Sequence, residues 1–253
     1  SFGAMDVLCT DKTGTLTQDK IALARHTDVT GKQSDEVLGL AYLNSYFQTG
    51  LKNLLDRAVL DHVELEAQLN VAHNYRKIDE IPFDFCRRRM SVVVSEREQH
   101  HELISKGAAE EMFEVCTHVQ YDGQVYPLDE SRLIRLKKVL RELNQSGLRV
   151  SAVAMKEMPP EQTLYSAADE SGLTLIGYIA FLDPPKESTA PALEALAAHG
   201  ITVKVLTGDN EPVTRHVCRQ VGLATDWLLL GAQVDALNDE DLKAAAEAHD
   251  VFA

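Results

Sequence analysis

The sequence lacks the features of several common protein classes. Acidic side chains outnumber basic ones by 39 to 25, and the net charge of −14 argues against a nucleic-acid partner, because phosphate backbones attract basic surfaces. A single nucleotide needs no more than a local basic pocket, so the acidic balance leaves such a ligand open. No apolar run approaches the roughly 20 residues that would span a bilayer, and the first residues do not have the pattern of a signal peptide, so we expect none.

Disulfide and metal-site patterns are missing as well. The four cysteines lie far apart without CxxC or CxxH spacing, which predicts reduced thiols in a cytosolic protein. They are Cys9, Cys86, Cys116 and Cys218. His100 and His101 are adjacent near a predicted hairpin turn, so their side chains point to opposite faces and suit a metal poorly. Neither internal repeats nor low-complexity tracts occur.

The two ends of the chain have the pattern of a parallel α/β sheet. Met5–Cys9 is a short apolar run that predicts a buried strand leading into a loop. After Asp183-Pro-Pro-Lys186, a predicted helix with Pro191 in its first turn precedes a predicted strand over Ile201–Leu206, and another helix follows. Strands that alternate with helices predict a parallel sheet with helical crossovers.

The middle of the chain has a different pattern, in which hairpins and helices dominate. Predicted strands over Met90–Ser95 and Glu102–Ser105 form one hairpin, and Asp122-Gly123 marks the turn of another. Helices are predicted after the N-cap Ser34, over Leu51–His62 and over Asp129–Gln145.

These patterns together predict an insertion. Residues 20–185 form an inserted domain, and residues 1–19 and 186–253 form the sheet domain that it interrupts, with hinges near Asp19–Lys20 and Asp183–Pro185. The chain begins inside an apolar segment and ends at Val251-Phe252-Ala253, which is typical of the middle of an element. We therefore expect a piece of a longer protein.

Candidate chemistry lies where two predicted strands end. Asp11 follows the strand that ends at Cys9, and Thr207, Gly208 and Asp209 follow the strand that ends at Leu206. Ligands of open parallel sheets bind beyond the carboxyl ends of the strands. Glycines in these loops let backbone N–H groups approach a phosphate. A carboxylate there can attack phosphorus and form an aspartyl phosphate, with Lys12 neutralising charge. A lone Asp-Lys-Thr-Gly string, however, is in most proteins a polar turn.

The longer string Asp11-Lys-Thr-Gly-Thr-Leu-Thr17 resembles the phosphorylation signature of P-type cation-transporting ATPases residue for residue. The resemblance implies an α/β fold: a partial, haloacid-dehalogenase-like phosphorylation domain with a doubly wound parallel sheet, interrupted by a nucleotide-binding domain with a mainly antiparallel sheet flanked by helices. Thr13 stands where related phosphatases carry a general acid/base aspartate. Because threonine cannot assist hydrolysis in that way, the acyl phosphate should persist, as a pump cycle requires.

Later segments match the same family in order. The resemblance implies that Phe83 stacks on the adenine of ATP, that Arg88 faces its phosphates, that Lys106 and Gly107 of a Lys-Gly-Ala element line the pocket, and that Arg149 reaches the phosphates. Each residue alone has an ordinary explanation, such as a core position for Phe83 or a solvated face for the arginines. Their joint order favours ATP binding.

The resemblance also assigns catalytic roles in the phosphorylation domain. Thr207-Gly208-Asp209 matches the loop that holds the phosphoryl group, and Asp183-Pro-Pro-Lys186 matches a hinge motif. Mg²⁺ would be bound by the Asp11 carboxylate and the Thr13 carbonyl, together with an aspartate of a downstream motif that this chain ends before. We therefore expect weak nucleotide binding and poor self-phosphorylation from this chain alone.

Three longer segments look like the bacterial magnesium-transporting branch of the family. They are Tyr46–Asp56, Ile81–Val94 and Gly177–Lys186. The predicted function is therefore the cytoplasmic part of an ATP-driven cation pump, with magnesium as the expected cation and the cytoplasmic side of the inner membrane as its place. Membrane helices absent from this chain would bind the cation and anchor the pump, and the segment alone should be soluble. The alternatives are a phosphatase of the haloacid-dehalogenase type and a nucleotide-binding module without chemistry of its own.

Overall fold

The chain divides into two units in a computed structural model, which describes residues 5–18, 20–50, 52–96 and 100–253. Unit 1 comprises residues 1–21, 144–149 and 182–253, and unit 2 comprises residues 22–143 and 150–181. Unit 2 therefore interrupts unit 1 in sequence. The predicted insertion is continuous over residues 20–185, whereas residues 144–149 group with unit 1, and the predicted domain limits stay predictions.

Unit 1 is built on a parallel sheet of four strands in the order β1-β10-β12-β11. The strands are β1 (Val7–Asp11), β10 (Thr202–Leu206), β11 (Leu228–Leu229) and β12 (Val251–Phe252). Its helices are α7 (Thr189–Ala198), α8 (Glu211–Gln220), α9 (Gly231–Asp235) and α10 (Asp239–Ala248). The core beneath the sheet joins Leu16, Val205, Cys218, Leu228 and Val251.

Local sequence accounts for the helices of unit 1. The Asn210 side chain accepts a hydrogen bond from the Val213 amide at 3.1 Å and caps α8. Asn238 caps α10 in the same way, and the acidic first turn of α10 complements the positive end of the helix dipole. Gly200, with φ of +75°, ends the segment after α7 in a left-handed conformation that glycine adopts at little cost. The predicted helix, strand, helix order of this region is confirmed.

Unit 2 is built on an eight-stranded sheet in the order β3-β4-β5-β8-β9-β6-β7, with β2 also paired to β9. The strands are β2 (Ala22–Asp28), β3 (Tyr75–Asp84), β4 (Arg89–Glu96), β5 (His100–Ala108), β6 (Cys116–Tyr121), β7 (Gln124–Pro127), β8 (Arg149–Met158) and β9 (Leu173–Leu182). The pairs β3–β4, β4–β5, β5–β8 and β6–β7 are antiparallel, and β6–β9 is parallel. The predicted mainly antiparallel sheet is confirmed.

Helices flank this sheet. They are α1 (Asp35–Phe47), α2 (Leu54–Leu60), α3 (Glu64–Leu69), α4 (Val71–Asn74), α5 (Ala109–Val115) and α6 (Glu130–Gln145). Buried α1 is fastened to the sheet by the Asn44 amide, which donates to the Ile104 carbonyl at 2.9 Å. Leu136, Leu140 and Leu143 form the buried stripe of α6.

Most predicted elements of unit 2 occur where the pattern indicated. The Asp122-Gly123 turn has φ of +50° and +73°, the left-handed pair that a tight hairpin requires. The second predicted helix differs, because α2 begins at Leu54 rather than at Leu51, and Leu51 lies outside the described residues. Asn53 and Asp56 form a reciprocal capping box that starts the helix there.

Candidate functional site

The carboxyl ends of β1 and β10 meet at one edge of the unit 1 sheet. The two strands run parallel, and Asp11 is paired with Leu206, so the loops that begin at Lys12 and Thr207 leave the sheet side by side. Asp11 is exposed, and one of its carboxylate oxygens accepts the Lys12 amide at 2.8 Å. A nucleophile needs this kind of exposure, since a phosphorus atom must approach the oxygen in line.

The Lys12–Leu16 segment forms a wide turn after Asp11. The Thr17 amide closes the turn on the Lys12 carbonyl at 3.2 Å, and the Gly14 amide donates to Thr17 Oγ1 at 3.1 Å. Thr13 and Gly14 have non-helical backbone angles, and Gly14 has φ of +75°. Thr15 is an exposed residue within the turn. Asp11 directly precedes the turn, and its carboxylate is also exposed.

Lys12 is the charged centre of this edge. Its side chain is fully buried, and its ammonium lies 2.7 Å from Asp209 Oδ2 and 2.8 Å from Asp183 Oδ2. Burial by itself lowers the pKa of Lys12, but the two carboxylates together raise the pKa above its ordinary value. The ammonium is therefore a permanent positive charge at neutral pH, held beneath the Asp11 loop.

The Thr207–Asp209 loop is shaped by short-range contacts. The Thr207 amide donates to the Phe252 carbonyl at 2.9 Å, and the Asp209 amide donates to Thr207 Oγ1 at 3.2 Å. A methyl group added at Gly208 would meet open space, so this glycine is not required by packing. Arg149, whose side chain is 47% exposed, has its guanidinium 3.8 Å from Asp209. Asp209 thus lies between two cations.

Asp183 and Lys186 also belong to this edge, which the sequence analysis did not predict, because it assigned their motif to a hinge. Asp183 binds Lys12, and its second oxygen is buried without a hydrogen-bond partner among the described residues. The Lys186 ammonium donates to the Gly14 carbonyl at 2.6 Å. Asp183 directly follows a strand, as Thr207 does, and Asp11 is the last residue of β1, which extends past the predicted end at Cys9. A position at the end of a strand was the available signal.

Lys106 of unit 2 is a buried lysine with protein partners. Its ammonium lies 2.6 Å from Asp56 Oδ1 and also donates to Ser45 Oγ. Burial lowers the pKa of Lys106, and the charge of Asp56 offsets part of this effect. Asp56 and Ser45 come from α2 and α1, so three elements converge on this ammonium.

The β3–β4 hairpin holds the other predicted nucleotide residues of unit 2. Phe83 is 51% exposed, which contradicts the ordinary core explanation, and its ring lies edge-on to Phe85 at 5.3 Å between centroids. Arg88 has φ of +48°, and its guanidinium lies 2.8 Å from Glu111. A Cβ at Gly107 would lie 2.4 Å from Arg89 Cβ, so glycine permits β5 to pack against this turn.

A comparison with protein families identifies the chain. Residues 51–188 match the model described as P-type ATPase, cytoplasmic domain N, which covers more than half of the sequence. The chain belongs to the P-type ATPase family. The matched span includes the β3–β4 hairpin and Lys106, and it ends just after the Asp183–Lys186 motif.

Individual P-type ATPases align with the whole chain. Magnesium-transporting ATPase, P-type 1 of Escherichia coli K12 is 56% identical over 253 residues, which is 100% of this chain and 28% of that protein. A protein of the same name from Salmonella typhimurium LT2 is 47% identical over 257 residues, with the same two shares. Calcium-transporting ATPase lmo0841 of Listeria monocytogenes is 30% identical over 275 residues, covering 100% of this chain and 31% of that protein. The chain thus spans under a third of these relatives.

Two groups of predicted site residues emerge in this P-type ATPase chain. Unit 1 brings together the Asp11 loop, the Thr207–Asp209 loop and Arg149, and unit 2 holds Phe83, Arg88 and the Lys106–Gly107 element. Arg149 was predicted to reach ATP phosphates, and its described neighbour is Asp209. The nucleotide role of these residues stays a prediction.

Neither a metal-binding cluster nor a membrane-spanning helix occurs in the part of the chain that the structure describes. Within residues 5–18, 20–50, 52–96 and 100–253, no three His, Cys, Asp or Glu side chains are grouped closely enough to hold a metal ion. Over the same ranges, no helix combines the length and apolar character needed to cross a membrane. A groove of about 320 Å³ on unit 2, which includes Val29, Tyr121 and Leu136 in its lining, contains none of the predicted site residues.

Proposed function

We propose that this chain is the ATP-handling part of a P-type cation pump and that Asp11 accepts the γ-phosphoryl group of ATP. The observation that carries the proposal is the edge formed by β1 and β10, where an exposed carboxylate adjoins a buried, permanently charged lysine and a Thr-Gly-Asp loop. In such a step an Asp11 oxygen attacks the γ-phosphorus while the bond to the β–γ bridging oxygen breaks, and ADP leaves.

Lys12 supports this step through the charges that it offsets. Its ammonium is shared by Asp183 and Asp209, which would otherwise present two carboxylates to an incoming phosphate. Like charges within a few ångströms repel strongly where water is excluded. Lys12 therefore keeps the edge receptive to an anion, which refines the simpler prediction that it neutralises the transferred group itself. Beside Gly208 the loop has open space, because an added Cβ would meet no atom there, and we assign this space to the phosphoryl group.

Magnesium fits the donors that this edge offers. Mg²⁺ prefers oxygen ligands and is usually held by one or two carboxylates together with substrate phosphates and water. Asp183 and Asp209 are engaged by Lys12, whereas Asp11 is exposed, so Asp11 and the Thr13 carbonyl are the protein donors that we assign. Bound there, the ion would offset negative charge on the phosphates. Asp11 itself supplies the nucleophilic oxygen.

The nucleotide is assigned to the β3–β4 hairpin and its neighbours. Phe83 has an exposed ring face for the adenine, and Arg88 has an exposed guanidinium for the phosphates. An ammonium has three donors, and Lys106 uses two on Asp56 and Ser45, which leaves one for the ligand. Gly107 keeps the hairpin turn close to Lys106, and Arg149 is assigned to the phosphates.

The transported ion and the cellular place belong to the same proposal. Two of the aligned relatives are named as magnesium-transporting and one as calcium-transporting, and the higher identity is to the magnesium-transporting ones. We assign magnesium on that basis. Membrane helices outside this chain would bind the cation, and the chain would lie on the cytoplasmic side of the inner membrane.

The acceptor is tested in the full-length protein that carries this segment. After incubation with ATP labelled in the γ-phosphate, we expect an acid-stable, hydroxylamine-sensitive label, as an acyl phosphate gives. Asp11→Asn should abolish the label, whereas Asp6→Asn, an exposed aspartate before the same strand, should keep it. A label that persists in Asp11→Asn would refute the assignment.

A nucleotide-binding module without chemistry is the second candidate. It is favoured by unit 2, in which all predicted nucleotide residues except Arg149 lie. Titration of ATP into the 253-residue chain, followed by NMR, tests the binding that both candidates share. Phe83→Ala should weaken binding by about 1 to 3 kcal/mol, the usual contribution of a stacked base, while Ile134→Ala, an exposed apolar control on α6, should not. Equal affinities of these two variants would remove the stacking role.

A further inference from the structure

Glu170 is a charged side chain without an assigned role, and it is fully buried in unit 2. Its carboxylate accepts hydrogen bonds from three side chains of one stretch of sequence. Arg89 Nε lies at 3.0 Å, Ser91 Oγ lies at 2.7 Å, and Arg87 Nη1 makes a further close contact. A buried carboxylate with this many donors is a fixed anchor, because moving it would leave several charged groups unpaired.

The anchored stretch is the turn of the β3–β4 hairpin. Asp84 begins the turn, since its carboxylate accepts the amides of Cys86 at 3.0 Å and Arg87 at 2.8 Å. The Arg88 amide then donates to the Asp84 carbonyl at 2.7 Å, and Arg88 takes a left-handed conformation with φ of +48°. Non-glycine residues adopt this region infrequently, so the contacts on both sides of Arg88 must hold it there.

Glu170 therefore binds two of three successive arginines and leaves the third outside its contact. The side chains of Arg87 and Arg89 are drawn to its carboxylate and are 22% and 12% exposed, whereas that of Arg88 is 58% exposed. One buried negative charge thus offsets two of the three guanidiniums. The third guanidinium, that of Arg88, remains on the surface, where it lies 2.8 Å from Glu111, on the same hairpin as the exposed ring of Phe83.

We propose that Glu170 is a positioning residue for the nucleotide: it holds the turn so that Arg88 alone of the three arginines meets the phosphates while Phe83 meets the adenine. The inference rests on the proposed function of the hairpin. It adds a reason for selectivity, because a turn with three free guanidiniums would attract any polyanion, with or without a base.

The test compares two ligands of the 253-residue chain, ATP and inorganic tripolyphosphate, by calorimetric titration at one salt concentration. In Glu170→Gln the charge is lost while the shape is kept, so Arg87 and Arg89 are released. We expect ATP to bind about five- to tenfold more weakly and tripolyphosphate to bind at least as tightly as to the unchanged chain, which lowers the ratio of the two affinities. A general loosening of the fold would weaken both ligands.

Asp79→Asn is the matched control. Tyr165 and Glu170 lie in the same loop, between β8 and β9. The Asp79 carboxylate accepts the Tyr165 amide at 2.8 Å and so anchors this loop, and no described contact joins Asp79 to the three arginines. Its ratio of affinities should equal that of the unchanged chain. If Glu170→Gln does not fold, as judged by its NMR spectrum, Glu170→Asp keeps the charge but shortens its reach and should lower the ratio by a smaller factor.

The outcomes separate the two levels of the proposal. Absence of ATP binding by the unchanged chain would overturn the proposed function itself. Binding that Phe83→Ala weakens, combined with an unchanged ratio in the Glu170 variants, would overturn the positioning role alone. A lowered ratio in Glu170→Gln with an unchanged ratio in Asp79→Asn would support it.

Discussion

We call the end of the unit 1 sheet that carries Asp11, Lys12, Asp183 and the Thr207–Asp209 loop the acceptor edge. Replacing Lys12 by methionine tests its electrostatics most directly. Methionine has nearly the length of lysine and keeps the buried volume filled, but it removes the ammonium that Asp183 and Asp209 share. The side chains of these two aspartates are 7% and 10% exposed, so water cannot replace the lost charge. The variant therefore leaves two buried carboxylates that face each other.

The expected loss is large. Removing one partner of a buried ion pair costs about 3 to 5 kcal/mol, because the remaining charge is left uncompensated. Arg149 lies 3.8 Å from Asp209, but it is half exposed, and pairs of that kind contribute about 0 to 1 kcal/mol. We therefore expect unit 1 to lose about 3 kcal/mol or more, a large part of the stability of an ordinary domain.

Native-state hydrogen exchange of the β10 amides measures this loss within unit 1. The Val205 amide, which donates to the Asp250 carbonyl at 2.7 Å, should exchange faster by the factor that corresponds to the lost free energy. Lys243→Met, the same substitution at an exposed position on α10, is the control and should leave exchange unchanged.

The pH dependence gives the prediction a sign. The carboxylates raise the pKa of Lys12 above its ordinary value, so its contribution is complete at neutral pH and is lost only as the pH rises through that raised pKa. The deficit of Lys12→Met should therefore shrink as the pH rises through the raised pKa of Lys12, because the unchanged chain then loses the same charge. Adding Asp209→Asn to Lys12→Met should recover stability, because it removes one of the two buried carboxylates that the lost ammonium paired with. An exchange rate equal to that of Lys243→Met, or no recovery in the double variant, would refute the argument.

Three further outcomes concern unit 2. Gly177→Ala should lower its stability by about 1 to 3 kcal/mol or more in thermal unfolding, because the added Cβ would lie 2.0 Å from the Thr27 carbonyl oxygen. Burial raises the pKa of Glu102 from 4.5 to about 7, so the folded state loses stability as the pH rises through this range. Glu102→Gln should remove up to about 3 kcal/mol of that loss. The variant should therefore be more stable than the unchanged chain above pH 7 and about equally stable in acid. Asn53→Ala should cost about 1 kcal/mol in urea unfolding through loss of the α2 cap, and an unchanged unfolding midpoint would contradict this.

Local chemistry made much of the fold predictable. The Asp122-Gly123 hairpin and the Ser34 cap of α1 depend on neighbours in sequence, and both occur as predicted. The acceptor edge was predictable for a related reason, since the neighbouring parallel strands β1 and β10 bring their carboxyl ends, at Asp11 and Leu206, to one edge, although β1 was predicted to end at Cys9. These inferences needed no knowledge of distant partners.

Side-chain partners from distant segments were not predictable. Lys106 lies 50 positions from Asp56, and Glu170 lies 83 positions from Arg87, so no local pattern links either pair. Asp183 was assigned to a hinge because two prolines follow it, although its carboxylate contacts Lys12. The exposure of Phe83 was also not predictable from the residue alone, because a lone phenylalanine is more often a core residue than a ligand contact.

The long sequence separation between β1 and β10 affects the order in which the chain can fold during translation. Lys12 emerges 171 positions before Asp183, and at about 5 to 20 residues per second this interval is roughly 10 to 30 seconds. Among the described strands β1 pairs with β10 alone, so throughout this time it is an unpaired strand with a solvated lysine behind it. The whole of unit 2 is translated in the same interval. Unit 2 can therefore fold before unit 1, and the acceptor edge is among the last features of this chain to form.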